Sequence, residues 1–328
     1  MTKIVFWKLS KKSLIIIFLL ILAWVWYYVS QNYQSFVMNL YSKYQNIENQ
    51  KFETNSKEII KNFNDIPESI KNKVVLVWNP KSNIIIINTQ WWPVNFLVTD
   101  EVAWILWEAN ISRKNVLLVD VHQCQTLQTK KFETKEISFE EAKECDKKSV
   151  EFLAKTVEYF KSKNKKVYVL WISFWAFIAQ DLLANYPNIA NKYIIEVWRL
   201  AMPKEVWKEF SKWNYVWFEY DKKWNKIIIP FNSEQAWMWW WNSIWDKNSS
   251  KLAAWLWYKR FIELLKDKNL ENVVYVYGNR DEQVWRLSKK EIEFLKSKKV
   301  QVYEFDGSHS DAIDAFSEKF LKNIIFNN

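Results

Sequence analysis

The run Val169-Leu170-Trp171-Ile172-Ser173-Phe174-Trp175-Ala176 sets one hydroxyl between an apolar β-branched stretch and a helical one. A serine at such a strand-to-helix turn has its Oγ exposed and its backbone strained, the arrangement of a nucleophile elbow. The turn asks for small residues two before and two after the serine, where this chain has Trp171 and Trp175. A serine hydroxyl attacks poorly until a base removes its proton. The chain has two histidines, His122 and His309. His309 stands in Phe305-Asp306-Gly307-Ser308-His309-Ser310-Asp311, after the last strand candidate and before the last helix, where open α/β sheets carry their sites. It also follows the serine, as the order serine, acid, histidine requires. His122 follows a strand too, but precedes the serine, and reads as a structural histidine. A carboxylate must then fix the imidazole tautomer and stabilise the imidazolium. Asp281, in Tyr277-Gly278-Asn279-Arg280-Asp281-Glu282, is placed to do so, with Glu282 as its alternative. Asp311 and Asp314 read instead as acids opening the last helix. The developing oxyanion needs N–H donors. One is the backbone of Phe174. The other comes from the loop Asn88-Thr89-Gln90-Trp91-Trp92-Pro93, through Trp91 and Trp92. This chemistry implies neither a metal nor an organic cofactor.

These residues need a frame, and the chain supplies one. Short β-branched runs alternate with helical stretches from Val74 onward, the pattern of a mostly parallel, doubly wound α/β sheet. Strands are expected at Val74–Val77, Ile84–Asn88, Val116–Val121, Val167–Leu170, Tyr193–Val197, Val273–Tyr277 and Val300–Phe305. Helices are expected at Glu141–Lys161, Ala176–Asn185, Leu252–Lys266, Lys289–Lys298 and Asp311–Ile325. The sheet divides into 73–201 and 270–328, and 202–269 reads as a cap inserted over one end. No internal repeat is present.

The amino terminus is of another kind. Ser13 to Val29 carries no charge and is just long enough to cross a bilayer, at about 1.5 Å per residue. Lys3, Lys8, Lys11 and Lys12 precede it, and no Lys or Arg follows until Lys43, so the positive-inside rule puts residues 1–12 in the cytoplasm and the body outside. A cleaved signal peptide is the competing reading, although no A-x-A site follows. Residues 30–72 read as a stalk.

The chain carries 23 Trp and two Gly. Together they match the share that glycine alone usually holds, about 7%. The tryptophans fall where turns are due, as in Trp91-Trp92-Pro93 and Trp239-Trp240-Trp241-Asn242. Some genetic codes read UGA as glycine, and a table that reads it as tryptophan writes Trp in its place. Most of these tryptophans are therefore expected to be glycine in the organism. Corrected, the elbow reads G-I-S-F-G and the loop N-T-Q-G-G-P.

The formal net charge of +10 could mark a nucleic-acid binder. The lysines are spread, however, no nucleic-acid motif appears, and abundant Lys, Asn and Ile fit an A/T-rich genome. Cys124 and Cys145 have no metal-ligand spacing. In an exported body they could bridge; two unrelated thiols are the other reading.

On the elbow, the acid loop and the histidine loop, the chain resembles an α/β-hydrolase fold serine hydrolase over about Val74 to Asn328. Within that fold the Gln90–Pro93 loop resembles the H-G-G-P-G loop of proline-iminopeptidase-like hydrolases, with Gln90 in place of its His and Val94 in place of its last Gly. Their acid-led D-Q-R-G-x-G-x-S loop corresponds to Asp120-Val121-His122-Gln123-Cys124-Gln125-Thr126, where Asp120 fits and the rest departs. Secreted relatives of this type often carry cysteines after that loop, as Cys124 and Cys145 do. The resemblance implies a serine hydrolase with the triad Ser173, Asp281 and His309, acting on a peptide with a free amino end or on a carboxylic ester, and residues 13–29 are expected to anchor it to the membrane. A fold of this kind used only as a surface binding module is the alternative, and so is a binding protein with authentic surface tryptophans.

Overall fold

Runs such as Ile84-Ile85-Ile86-Ile87 are stiff at χ1 and apolar on both faces, so they settle in the middle of a sheet covered on both sides. The computed structural model describes residues 66–89, 94–97, 99, 102–173, 176–212, 216–220, 226–230, 243–281 and 283–327. The expected anchor at 13–29, most of the stalk, Gln90, Trp91, Trp92, Pro93, Phe174, Trp175 and Glu282 lie outside them. All described residues belong to one unit, Glu58–Asn328. Among them no helix is long and apolar enough to cross a membrane.

All of the expected strands form: β1 Val74–Trp78, β2 Ile84–Asn88, β3 Leu117–Val121, β4 Lys166–Ile172, β5 Lys192–Glu196, β8 Val273–Gly278 and β9 Gln301–Phe305. Between β5 and β8 lie β6 Val216–Tyr220 and β7 Lys226–Pro230, a separate antiparallel pair. The main sheet has seven strands in the order β1-β3-β2-β4-β5-β8-β9. Only the edge strand β1 runs antiparallel. β2, β4, β5, β8 and β9 thus end on one edge, and everything that follows a strand there is brought together.

The helices that matter for that edge are α1 Phe139–Ser162, α2 Ala176–Asn185, α3 Lys204–Ser211, α4 Ile244–Tyr258, α5 Lys289–Ser297 and α6 His309–Phe316. On one face Leu153, Val157, Phe177, Leu182 and Leu295 pack on Val119, Ile87, Val169, Tyr193 and Tyr275. α6 packs on β8 and β9. Capping boxes start α1 (Ser138 with Glu141), α4 (Ser243 with Asp246), α5 (Ser288 with Glu291) and α6 (Ser308 with Asp311). Asp311 is therefore the helix-opening acid expected of it. The helix placed at 252–266 begins earlier, at Ile244, and breaks at Lys259, because its start is set by the Ser243 cap rather than by its apolar periodicity.

The break has a structural role. Lys259 Nζ is buried between Asp146 of α1 and Asp181 of α2, 2.5 Å from the latter, which pins the insertion to the core. Trp255 Nε1 also donates to Asp146 (2.9 Å). Two carboxylates share one ammonium, so burial and then Asp146 push the Asp181 carboxyl up to about 7, against the pull of Lys259. A raised folded pKa means that stability is greatest below the unfolded value and is lost as pH rises through about 7. Asp181→Asn is thus expected to melt higher than the parent at pH 8, with the difference shrinking toward pH 5, in thermal scans at both pH values.

Cys124 and Cys145 are both buried and stand as free thiols in this structure. Cys124 Sγ accepts from Gln128 Nε2 (3.2 Å), and Cys145 Sγ donates to Gln125 Oε1 (3.8 Å). The thiol pair packs with Phe132, Ile137, Ala142 and Leu252, so the site works as a small apolar cluster.

Candidate active site

Ser173 follows β4 directly and takes φ 57°. For a residue with a Cβ this is the left-handed region, which the tight strand-to-helix turn imposes. Trp171, two residues earlier, is fully buried, and its Nε1 donates to Thr89 Oγ1 (2.8 Å). Small residues are asked for two before and two after the serine, and at the first of these positions the indole is accommodated through this contact. Thr89 follows β2, the parallel neighbour of β4, so it stands at the same sheet edge as Ser173.

Asp281 lies three residues past β8, and His309 four past β9. Phe305 O accepts from Asn279 N (2.9 Å), and Gly307 O from Arg280 N (3.0 Å), which zips the two loops together. Arg280 Nε also pairs with Asp306 (3.2 Å). Gly278 makes this approach close: a Cβ there would meet Ser308 O at 2.5 Å and Gly307 O at 2.7 Å. Both contacts are backbone and cannot swing aside. Gly278→Ala is therefore expected to lower stability by about 1–3 kcal/mol and to displace the His309 loop. A lowered Tm together with a lowered kcat would show it.

The three side chains meet. His309 Nε2 is 3.1 Å from Ser173 Oγ, and His309 Nδ1 is 2.7 Å from Asp281 Oδ2. All three are buried, with Ser173 7% exposed. The other carboxylate oxygen, Oδ1, accepts from Gln283 N and Val284 N (both 2.9 Å), so the carboxylate cannot turn. With Asp281 accepting, Nδ1 carries the proton and Nε2 is left as the acceptor for the serine hydroxyl. The arrangement can remove a proton from Ser173 as its oxygen attacks, and return it to a leaving group.

His122 is not part of this group. Its Nδ1 hydrogen-bonds Thr126 Oγ1 (2.9 Å), its backbone N–H donates to Lys73 O (2.7 Å), and burial pushes its imidazole pKa down. It is a satisfied neutral histidine at the β3 end. His122→Ala is expected to keep more than about half of kcat/KM, a loss within the range of an ordinary structural change; a loss equal to that of His309→Ala would move the base to His122. Asp120 is fully buried on β3, with Asn88 Nδ2 3.4 Å from its Oδ1.

No family model matches the sequence, and no curated protein matches it. Several solved structures resemble the chain. A hydrolase from Oleispira antarctica has 11% identity over 80% of this chain and 97% of that one, with a TM-score of 0.47. The meta-cleavage product hydrolase of Pseudomonas fluorescens has 11% identity over 76% and 93%, with a TM-score of 0.42. Est1E from Butyrivibrio proteoclasticus has 13% identity over 77% and 93%, with a TM-score of 0.42. At such scores the description of the fold rests on the sheet order above.

Proposed function

We propose that the chain is a serine hydrolase working through an acyl-enzyme. The unbroken hydrogen-bonded series Ser173, His309, Asp281 at one sheet edge carries this reading. Ser173 Oγ attacks the acyl carbon while His309 Nε2 takes its proton. Asp281 steadies the imidazolium. The backbone N–H of Phe174 and the Trp91/Trp92 loop hold the oxyanion. His309 then gives the proton to the leaving group, and a water, deprotonated by His309, releases the acid.

The substrate is a peptide with a free amino end, as in proline-iminopeptidase-like hydrolases, with a carboxylic ester as the second choice. The insertion at 202–269 caps the site, as lids do elsewhere. Residues 13–29 anchor the enzyme, with its catalytic body outside the cytoplasm. Most written tryptophans stand for glycine. Trp78 (φ 80°) and Trp285 (φ 65°) favour this, since a bulky residue is rarely found in the left-handed region. The indole N–H of Trp78 is also buried without a hydrogen-bond partner. The snug fit of Trp171 counts the other way.

The test is turnover of three probes: an amino-acyl p-nitroanilide with a free amine, its N-acetyl counterpart, and p-nitrophenyl acetate. The free amine is expected to be preferred over the acetylated form, and Ser173→Ala is expected to abolish all turnover. A folded protein that cleaves none of the three would contradict the proposal.

A further inference from the structure

A buried ion pair lies just behind the acid loop. Arg199, shortly after β5, and Glu291, in the first turn of α5, meet at 3.0 Å with almost no exposure. The guanidinium is used along its whole fork. Nη2 donates to Glu291 Oε2 (3.0 Å), Nε to Ala201 O (3.0 Å), and Nη1 to Val284 O (3.4 Å). Glu291 accepts in turn from Leu200 N (2.9 Å), Ser288 N (2.8 Å) and Ser288 Oγ (2.7 Å). Gln180 of α2, the helix opened by the Ser173 turn, donates to Arg199 O (3.2 Å). The pair therefore links three segments: the nucleophile's helix, the β5 exit and residues 284–291.

Val284 connects the pair to the chemistry. Its N–H holds Asp281 Oδ1, and its carbonyl is held by Arg199. We propose that Arg199 is a positioning residue for Asp281. It fixes Val284, whose N–H holds Asp281 Oδ1, so that Oδ2 faces His309 Nδ1. The pair is neutral as a whole, so it acts through geometry and not through charge on the imidazole. This role rests on the serine-hydrolase reading above.

The test is a double-mutant cycle in the full-length chain, with p-nitrophenyl acetate as the probe and Tm recorded for each variant. Arg199→Lys keeps a cation for Glu291, yet one ammonium cannot serve all three acceptors in the directions of the fork. It is expected to lower kcat by about tenfold or more with KM within about twofold, the signature of a contact felt in the transition state. In an Asp281→Asn background the same substitution is expected to change kcat by less than about twofold, because the two residues act as one unit. If Arg199→Lys folds poorly, Arg199→Met with Glu291→Gln removes both buried charges while the Gln amide oxygen still accepts from Ser288 N–H and keeps the start of α5 capped. It is expected to lose kcat alike while melting no lower than Arg199→Met alone, which leaves the Glu291 carboxylate buried and unpaired. Equal loss in both Asp281 backgrounds, or full kcat in the paired replacement, overturns the role. Parental kcat in Asp281→Asn alone overturns the triad reading itself.

Discussion

Ser173→Ala and His309→Ala are each expected to lower kcat by about 10⁴–10⁶-fold, with little change in KM. Either substitution removes a group whose work is done in the transition state: Oγ makes the new bond, and Nε2 takes its proton across the 3.1 Å contact. Combining the two should cost no more than either alone, because a nucleophile without its base and a base without its nucleophile are equally idle. Steady-state kinetics on p-nitrophenyl acetate would show this, with Tm as the control for folding. Additive losses would mean that the two residues do not share a step.

A version of the chain with glycine at the written tryptophans is expected to be much more stable than the chain as written. Trp78 and Trp285 force bulky residues into left-handed backbone. Overpacking or strain costs about 1–3 kcal/mol per site. Repeated at even part of the 23 positions, that exceeds a total stability of about 5–15 kcal/mol. Two synthetic genes, compared by thermal melting and by kcat, decide the matter. A well-folded, active Trp version beside a weaker Gly version would show that the tryptophans are authentic, as would UGG codons in the coding DNA.

The sheet was legible because its strands are β-branched runs buried on both faces, a pattern few other structures produce. The meeting of Ser173, Asp281 and His309 was legible because each stands just beyond such a run, and parallel strands gather those ends. Other features depend on contacts distant in sequence. Arg199 and Glu291 lie 92 residues apart, and the capping box that holds Glu291 gives no sign of Arg199. The need for glycine at 278 comes from Gly307 and Ser308 crossing over it, which no local pattern shows. The β6–β7 pair was missed although Ile227-Ile228-Ile229 is a plain β-branched run, because the tryptophans around it masked its period. The start of α4 was missed for a simpler reason: Ser243 and Asp246 form a cap that was present in the sequence, while the apolar periodicity begins a turn or two later.

The central claim is that Ser173 is a nucleophile activated by His309 and Asp281. Intact-protein mass spectrometry after treatment with a fluorophosphonate, followed by peptide mapping, tests it most directly. One adduct per chain is expected, located on Ser173, lost in Ser173→Ala and formed far more slowly in His309→Ala. An unmodified, folded chain, or an adduct on another residue that survives Ser173→Ala, would contradict it.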